Sequence, residues 1–276
     1  MKLREISLAV IVIILLSINI YSERVISLSP AITEILFELG FGDLIVGNTK
    51  FCNYPPQSNA IKKIGGYLDI NMEMIIDLQP DVIFHYPEHS LRLKKLKEIT
   101  RLVQVSHKNI TDMLNSIKTI SLELKSEPAG EALIHSVKKK LNEIRNRKKN
   151  AERKKVLIVI GRDPGQLRNI TIIGNGDFLN EILSISDGKN AYNGKISYPS
   201  VSIESIIKMD PDMIIEFSFL EQSSSKDFMI SLWKSFPLIR AVRLGNIQII
   251  RDDYWVRPGP RITRIAESLY EMLHSE

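Results

Sequence analysis

The feature that most constrains this 276-residue chain is a segment that occurs twice. Asn71-Met-Glu-Met-Ile-Ile-Asp-Leu-Gln-Pro-Asp-Val-Ile-Phe84 reads as a capped helix stopped by Pro80 and followed at once by a strand. Ser202-Ile-Glu-Ser-Ile-Ile-Lys-Met-Asp-Pro-Asp-Met-Ile-Ile215 has the same layout. Glu73 aligns with Glu204, Ile75-Ile76 with Ile206-Ile207, Pro80-Asp81 with Pro211-Asp212 and Ile83 with Ile214, each pair offset by 131 residues with no gap. A Pro-Asp step between helix and strand is common by itself. Six matched pairs in register are not, and they predict two lobes built on one plan.

Each repeat sits in an alternation of strand and helix. Arg24-Val-Ile-Ser-Leu28 reads as a buried strand, after which Ser29-Pro30 opens a helix with Ser at the cap and Pro at the first position. Ile32, Ile35, Leu36 and Leu39 follow at helical spacing, and Gly40 supplies a left-handed stop. Further strands are expected near Leu44 to Val46, Val156 to Ile160 and Ile247 to Ile250. A closing helix from Pro260 would bury Ile262, Ile265, Ala266, Leu269 and Leu273. The expected fold is α/β: two Rossmann-like lobes with mainly parallel sheets, helices on both faces and a ligand cleft between the lobes.

The lobes are expected at residues 23–127 and 155–276, joined by one long helix over residues 128–154 in which Ile134, Val137, Leu141 and Ile144 share a face. Such a helix would be about 40 Å long and would cross both lobes as a rigid link. Its end carries Arg145, Arg147, Lys148, Lys149, Arg153, Lys154 and Lys155 against the single acid Glu152, a run read as a solvated helix end.

Residues 1–22 differ from the rest. Lys2 and Arg4 precede the apolar run Leu8 to Leu16, the pattern of a secretory signal, with a cut expected after Ser22 and an uncleaved anchor as the alternative. No cysteine follows the run, so no lipid attachment is expected there, and a periplasmic protein is. Cys52 is the single cysteine, so packing rather than an internal disulfide must hold the fold. Hydrophobic residues at 44% and charged residues at 25% are ordinary for a globular chain. The formal charge of +5 is too modest to call for nucleic acid, and a monomer is expected.

Two motifs need weighing before they are set aside. His85-Tyr-Pro-Glu-His89 fits the H-x-x-E-H pattern of some zinc proteases, but that chemistry needs one helical face, and Pro87 sits in a segment leaving a strand. Gly174-Asn-Gly176 lacks the third glycine of a dinucleotide loop, its place being taken by Leu179. No residues volunteer for catalysis or for a resident metal or cofactor.

Ligands of open α/β folds bind outside the carboxyl ends of the strands. The loops expected there carry Phe51, Tyr67, Tyr86, Tyr254 and Trp255, although aromatics make up only 7% of the chain. Flat side chains with a few polar handles suit a large, flat, partly apolar ligand. An inward turn of Arg162, Arg168, Arg251 and Arg257 would instead favour an anionic iron chelate. Glu73 and Glu204 each fall in the first turn of a helix, where a carboxylate complements the dipole; their matched placement additionally suggests a symmetric partner.

The chain resembles the periplasmic binding proteins of ABC importers that have a helical interlobe backbone, specifically the cobalamin-binding members. The carrying residues are RVISLSPAITEILFELGFGDLIVG from Arg24, CNYPP from Cys52, GGYLDINMEMIIDLQPDVIF from Gly65, YPSVSIESIIKMDPD from Tyr198 and DYWVRPGPRI from Asp253. The resemblance implies one corrinoid, carried as cargo, in the cleft. Phe51 matches a ligand-touching position that is tyrosine in the family, and Val256, Arg257, Pro258, Gly259 and Pro260 match a second contact segment. Tyr67 and Tyr86 stand where related members use tryptophan. Glu73 and Glu204 match two surface glutamates that dock onto arginines of a dimeric permease. Ferric-siderophore and haem carriers share much of the pattern and form the alternative.

Overall fold

The computed structural model describes residues 23–147, 152–219 and 224–274. The expected signal segment lies outside them. In chain order the main elements are β1 (Val25–Ser27), α1 (Pro30–Glu38), β2 (Ile45–Asn48), α2 (Met72–Asp77), β3 (Val82–His85), β4 (Arg101–Gln104), α3 (Ile110–Glu123) and α4 (Glu127–Arg145). They continue as β5 (Lys155–Gly161), β6 (Ile170–Ile172), α5 (Phe178–Ile185), β7 (Lys189–Asn190), β8 (Ser200–Val201), α6 (Ile203–Met209), β9 (Met213–Phe217), α7 (Lys226–Lys234), β10 (Ile247–Ile250) and α8 (Ile262–His274).

These elements form two lobes. The first sheet has the order β2-β1-β3-β4 and is parallel throughout. The second runs β10-β9-β5-β6-β8, with β7 beside β5; only β6 runs antiparallel to its neighbours. Buried Val, Ile and Leu on both faces give the central strands their continuous apolar character.

The repeat reaches further than the sequence alone reveals. Val25 pairs with Val82 and Val156 with Met213, the same register moved by 131 residues. The Arg24 main-chain N–H donates to Asp81 Oδ2 at 2.7 Å and its Nε to the Leu78 carbonyl at 2.9 Å. In the other lobe Lys155 N–H donates to Asp212 Oδ2 at 2.7 Å and Nζ to the Met209 carbonyl at 3.1 Å. Gln79 and Asp210, both at φ 43°, turn the two helices back toward their strands. An aspartate staple thus ties strand start to helix end in each lobe.

Helix α1 ends as expected in a Schellman turn, with Gly40 at φ 84° and Phe41 N–H donating to the Leu36 carbonyl at 2.8 Å. Ser29 occupies its N-cap position but makes no side-chain cap.

The linking helix needs correction. The apolar face is where the spacing put it, with Val137, Leu141 and Ile144 buried and Ile134 packed at its edge. The helix, however, stops at Arg145 rather than residue 154, giving 19 residues and a length of about 28 Å. The next positions of the seam are Arg147 and Lys148, so no apolar side chain seats the following turn. Arg147 accepts the Tyr270 hydroxyl on its carbonyl at 2.8 Å and pairs with Glu267, while Arg153 pairs with buried Asp187 at 3.1 Å. Those cations are tied to the second lobe instead of decorating a solvated helix end.

Helix α4 packs on α3 of the first lobe and on α5 and α8 of the second. Gly130 permits the α3 contact, since a Cβ there would fall 2.1 Å from Ser121 Oγ. One apolar core therefore runs unbroken from Ile32 and Phe84 through Val137 and Leu141 to Ile182 and Leu269. Smaller cores fill the outer face of each sheet.

Candidate functional site

The carboxyl ends of β1, β2, β3 and β4 face those of β9 and β10 across a cavity of about 650 Å³. The first lobe supplies Phe51, Tyr67 and Tyr86 to its wall. Phe51 is 46% exposed and Tyr86 only 3%, so one ring is available to a ligand and the other is part of the wall itself. His107 lies against Tyr86 with ring centroids 4.0 Å apart. The second lobe supplies Phe219, stacked on Phe217, and a polar segment in which Arg251, Asp252, Asp253, Val256, Arg257 and Pro258 face the cavity.

Six of the ten residues expected to touch ligand meet here: Phe51, Tyr67, Tyr86, Val256, Arg257 and Pro258. Tyr254, Trp255, Gly259 and Pro260 do not line the wall. The reason is the tight 3₁₀ turn Asp253–Val256, in which residues three apart share a direction. Asp253 and Val256 therefore face the cleft while Tyr254 and Trp255 point into the core. Trp255 packs on Phe217 at 5.9 Å, and Tyr254 carries the guanidinium groups of Arg261 and Arg264 near its ring, 5.1 and 5.0 Å from the centroid. Gly259 lies against α1, where a Cβ would sit 3.1 Å from Glu34 Oε2. Pro260 is buried on the approach to α8.

Arg257 is engaged rather than free. One Nη donates to Asn53 Oδ1 at 2.7 Å and the other pairs with Asp253, to which Asn53 Nδ2 also donates at 3.2 Å. This triad bridges the two lobes at the cavity wall. A second bridge lies beneath it: Arg261 Nε donates to Glu34 Oε2 at 2.9 Å, with the Tyr54 ring 4.0 Å from the guanidinium carbon. Burial pushes the Glu34 carboxyl above its ordinary pKa, and the Arg261 contact opposes that rise. Of the other arginines, Arg251 lines the cavity, Arg162 is buried against Glu216 at 2.7 Å, and Arg168 is outside the wall.

The loop after β2 is held from behind. Lys63 Nζ donates to Asn48 Oδ1 and to the carbonyls of Cys52 and Ser58, at 2.9, 2.8 and 2.8 Å. The Cys52 thiol is free, fully buried and within 3.2 Å of the Thr33 and Thr49 hydroxyls. Phe51 and Asn53 leave this anchored segment toward the cleft.

The H-x-x-E-H segment follows β3 as a 3₁₀ turn, not a helical metal face. His85 Nδ1 donates to the Tyr86 carbonyl at 2.9 Å, and His89 bonds main-chain groups through both ring nitrogens. Burial lowers the pKa of His85, His89 and His107 alike.

Glu73 and Glu204 are exposed in the first turns of α2 and α6. Their helices are capped alike, Asn71 Oδ1 accepting from Met74 N–H at 3.0 Å and Ser202 Oγ from Ser205 N–H at 3.3 Å. A hydrogen bond from Ser202 holds the Glu204 carboxyl below its usual range.

Sequence reasoning left Asn53, His107, Phe219, Asp252 and Asp253 out of the site and named Arg251 only as a contact for an anionic ligand. Most lie in loops already assigned to strand ends. His107 follows β4, whose short apolar stretch Leu102-Val103, ending in Val105, is the signal that could have found it.

Two strand-end faces opposed across a braced cleft, on lobes joined by a packed helix, define a two-lobed solute-capture protein. The chain belongs to the periplasmic binding protein family, whose profile matches residues 25–254. It is 28% identical over 264 residues to an uncharacterised ABC transporter substrate-binding lipoprotein of Bacillus subtilis, covering 92% of this chain and 81% of that one. It is 25% identical over 252 residues to the vitamin B12-binding protein of Vibrio cholerae, covering 90% and 88%. The solved periplasmic haem-binding protein of Vibrio cholerae superposes with a TM-score of 0.82 at 20% identity, over 92% and 100% of the two chains. The chain is thus a substrate-binding protein of an ABC transporter. No helix among the described residues is long and apolar enough to cross a membrane.

Proposed function

We propose that the protein captures cobalamin or a related corrinoid in the interlobe cavity and delivers it, chemically unchanged, to the dimeric permease of an ABC importer. The observation that carries this reading is the contrast between the two walls. Phe51, Tyr67 and Tyr86 build a flat, largely apolar surface on one lobe, while the other presents the charged side chains of Arg251, Asp252 and Asp253 beside Phe219. A large flat ligand with polar edges satisfies both. The relatives that bear the name vitamin B12-binding protein support it, since they match along nine-tenths of the chain. Val256, Arg257 and Pro258 would complete the contact.

Glu73 and Glu204 would meet one permease subunit each, so a single monomer suffices for docking. Export through residues 1–22 would place the protein where that permease can receive it. Calorimetry with cyanocobalamin tests the ligand, with saturable one-site binding expected. No affinity for cyanocobalamin together with capture of haemin or a ferric chelate would overturn the corrinoid assignment.

One observation favours that second reading. Arg251 lines the cavity, and its Nε is buried with no hydrogen-bond partner among the described residues. An acidic ligand edge would pair with the face of this guanidinium that lines the cavity, which the Ser224 carbonyl holds in place. On this reading Arg251→Gln weakens haemin capture by about tenfold or more; on the corrinoid reading it leaves cyanocobalamin affinity within a few-fold.

A further inference from the structure

Behind the aromatic wall, His89 is 1% exposed and does not reach the cavity, yet its ring holds two separate strand-end loops. The Tyr86 main-chain N–H lies 3.2 Å from Nδ1. A backbone N–H can only donate, so Nδ1 carries the lone pair and the proton is on Nε2. Nε2 donates to the Tyr67 carbonyl at 2.8 Å. The imidazole also sits between the two phenol rings, edge-on to Tyr67 at 4.9 Å and near-parallel to Tyr86 at 6.4 Å. One neutral ring therefore sets the spacing of two side chains that form the apolar half of the cavity.

We propose that His89 is the positioning residue of the Tyr67–Tyr86 wall and makes ligand retention pH-dependent, because a proton on Nδ1 would face the Tyr86 N–H and drive the wall apart. This rests on the cavity being the ligand site. The titratable groups facing His89 are His85, Glu88 and His107, together with the phenols of Tyr67 and Tyr86. Burial opposes the proton most strongly and the two histidines add to it, while the Tyr67 carbonyl and Glu88 favour it. The imidazole thus stays neutral at neutral pH. Affinity is complete there and falls as pH drops through the lowered pKa of His89.

The test pairs calorimetry with cyanocobalamin, between about pH 8 and pH 5, with long-range ¹H–¹⁵N spectra of the ligand-free protein. Wild type should show the Nε2–H tautomer at His89 and lose affinity by about tenfold or more across that range. His89→Asn keeps an acceptor for Tyr86 and His89→Gln keeps a donor for Tyr67, and neither titrates. Each should bind at the upper pH within about tenfold of wild type and lack the acid limb, whereas His89→Phe, which keeps only the ring, should bind more than about tenfold more weakly. An acid limb that survives in the Asn and Gln variants overturns the proposal, as does a proton found on Nδ1. If cyanocobalamin does not bind wild type, the ligand assignment fails. The tautomer, with the acid transition of the tyrosine near-ultraviolet dichroism in wild type and His89→Asn, then decides the role of His89 by itself.

Discussion

At Arg257 one guanidinium meets Asn53 from the first lobe and Asp253 from its own, so its charge is spent on bracing the cavity before any ligand arrives. Removing the Asn53 carbonyl leaves that charge with one partner fewer. Asn53→Ala should lower ligand affinity by about threefold to tenfold, seen by calorimetry, with most of the loss in the dissociation rate. Glu34 is the harsher case. It is 2% exposed, and Glu34→Gln would strip the largely buried Arg261 guanidinium of its counter-charge, so a loss of about 2–4 kcal/mol is expected in chemical denaturation. The three histidines of the first lobe contribute in one direction. Each binds a proton less readily when folded, so the unfolded chain takes up more protons and stability falls as pH drops below 6.5, their ordinary value. Glu34 and Asp177, raised by burial, act oppositely nearer their own titration. His85→Gln should therefore flatten the slope of denaturation midpoint against pH just below 6.5 relative to wild type. At this scale the sequence showed which residues are aromatic and near strand ends. It did not show which way they point, because a 3₁₀ turn at Asp253–Val256 sends Tyr254 and Trp255 inward.

The elements were read more completely, and the reason is periodicity. Apolar spacing marks the buried face of α4 through Val137, Leu141 and Ile144, and it ends where the helix ends. Extending the helix to residue 154 followed from counting charge as helical, though cations such as Arg153 serve the second lobe. Leu141→Ala should cost about 2–4 kcal/mol, whereas the exposed Lys139→Ala should stay within about 0.5 kcal/mol, both by denaturant titration. The staples formed by Asp81 and Asp212 were half legible. The aspartates were visible as a repeat, but their partners Arg24 and Lys155 differ in identity and are joined only by position. Asp81→Ala and Asp212→Ala should each destabilise by about 1–3 kcal/mol and their effects should add, since the staples lie in different lobes.

For the whole molecule the decisive feature is the apolar core that crosses from one lobe to the other through α4. The repeat alone would allow lobes that melt independently. The shared core predicts one calorimetric transition instead, and two resolved transitions would show that α4 does not couple them. The two-lobe plan itself was plain from the repeat, because six register-matched pairs leave few other architectures.

The buried Glu34–Arg261 bridge has a consequence for how ionic strength acts on the protein. Its carboxylate and guanidinium are 2% and 14% exposed and so only weakly screened by dissolved ions, whereas Glu73 and Glu204 stand in open solvent where screening acts within about 10 Å at 0.1 M salt. If the two glutamates dock on the importer as proposed, raising salt should leave the seam between the lobes closed and ligand capture unchanged while weakening that association. Potassium chloride then becomes a reversible dial that separates holding the cargo from handing it over.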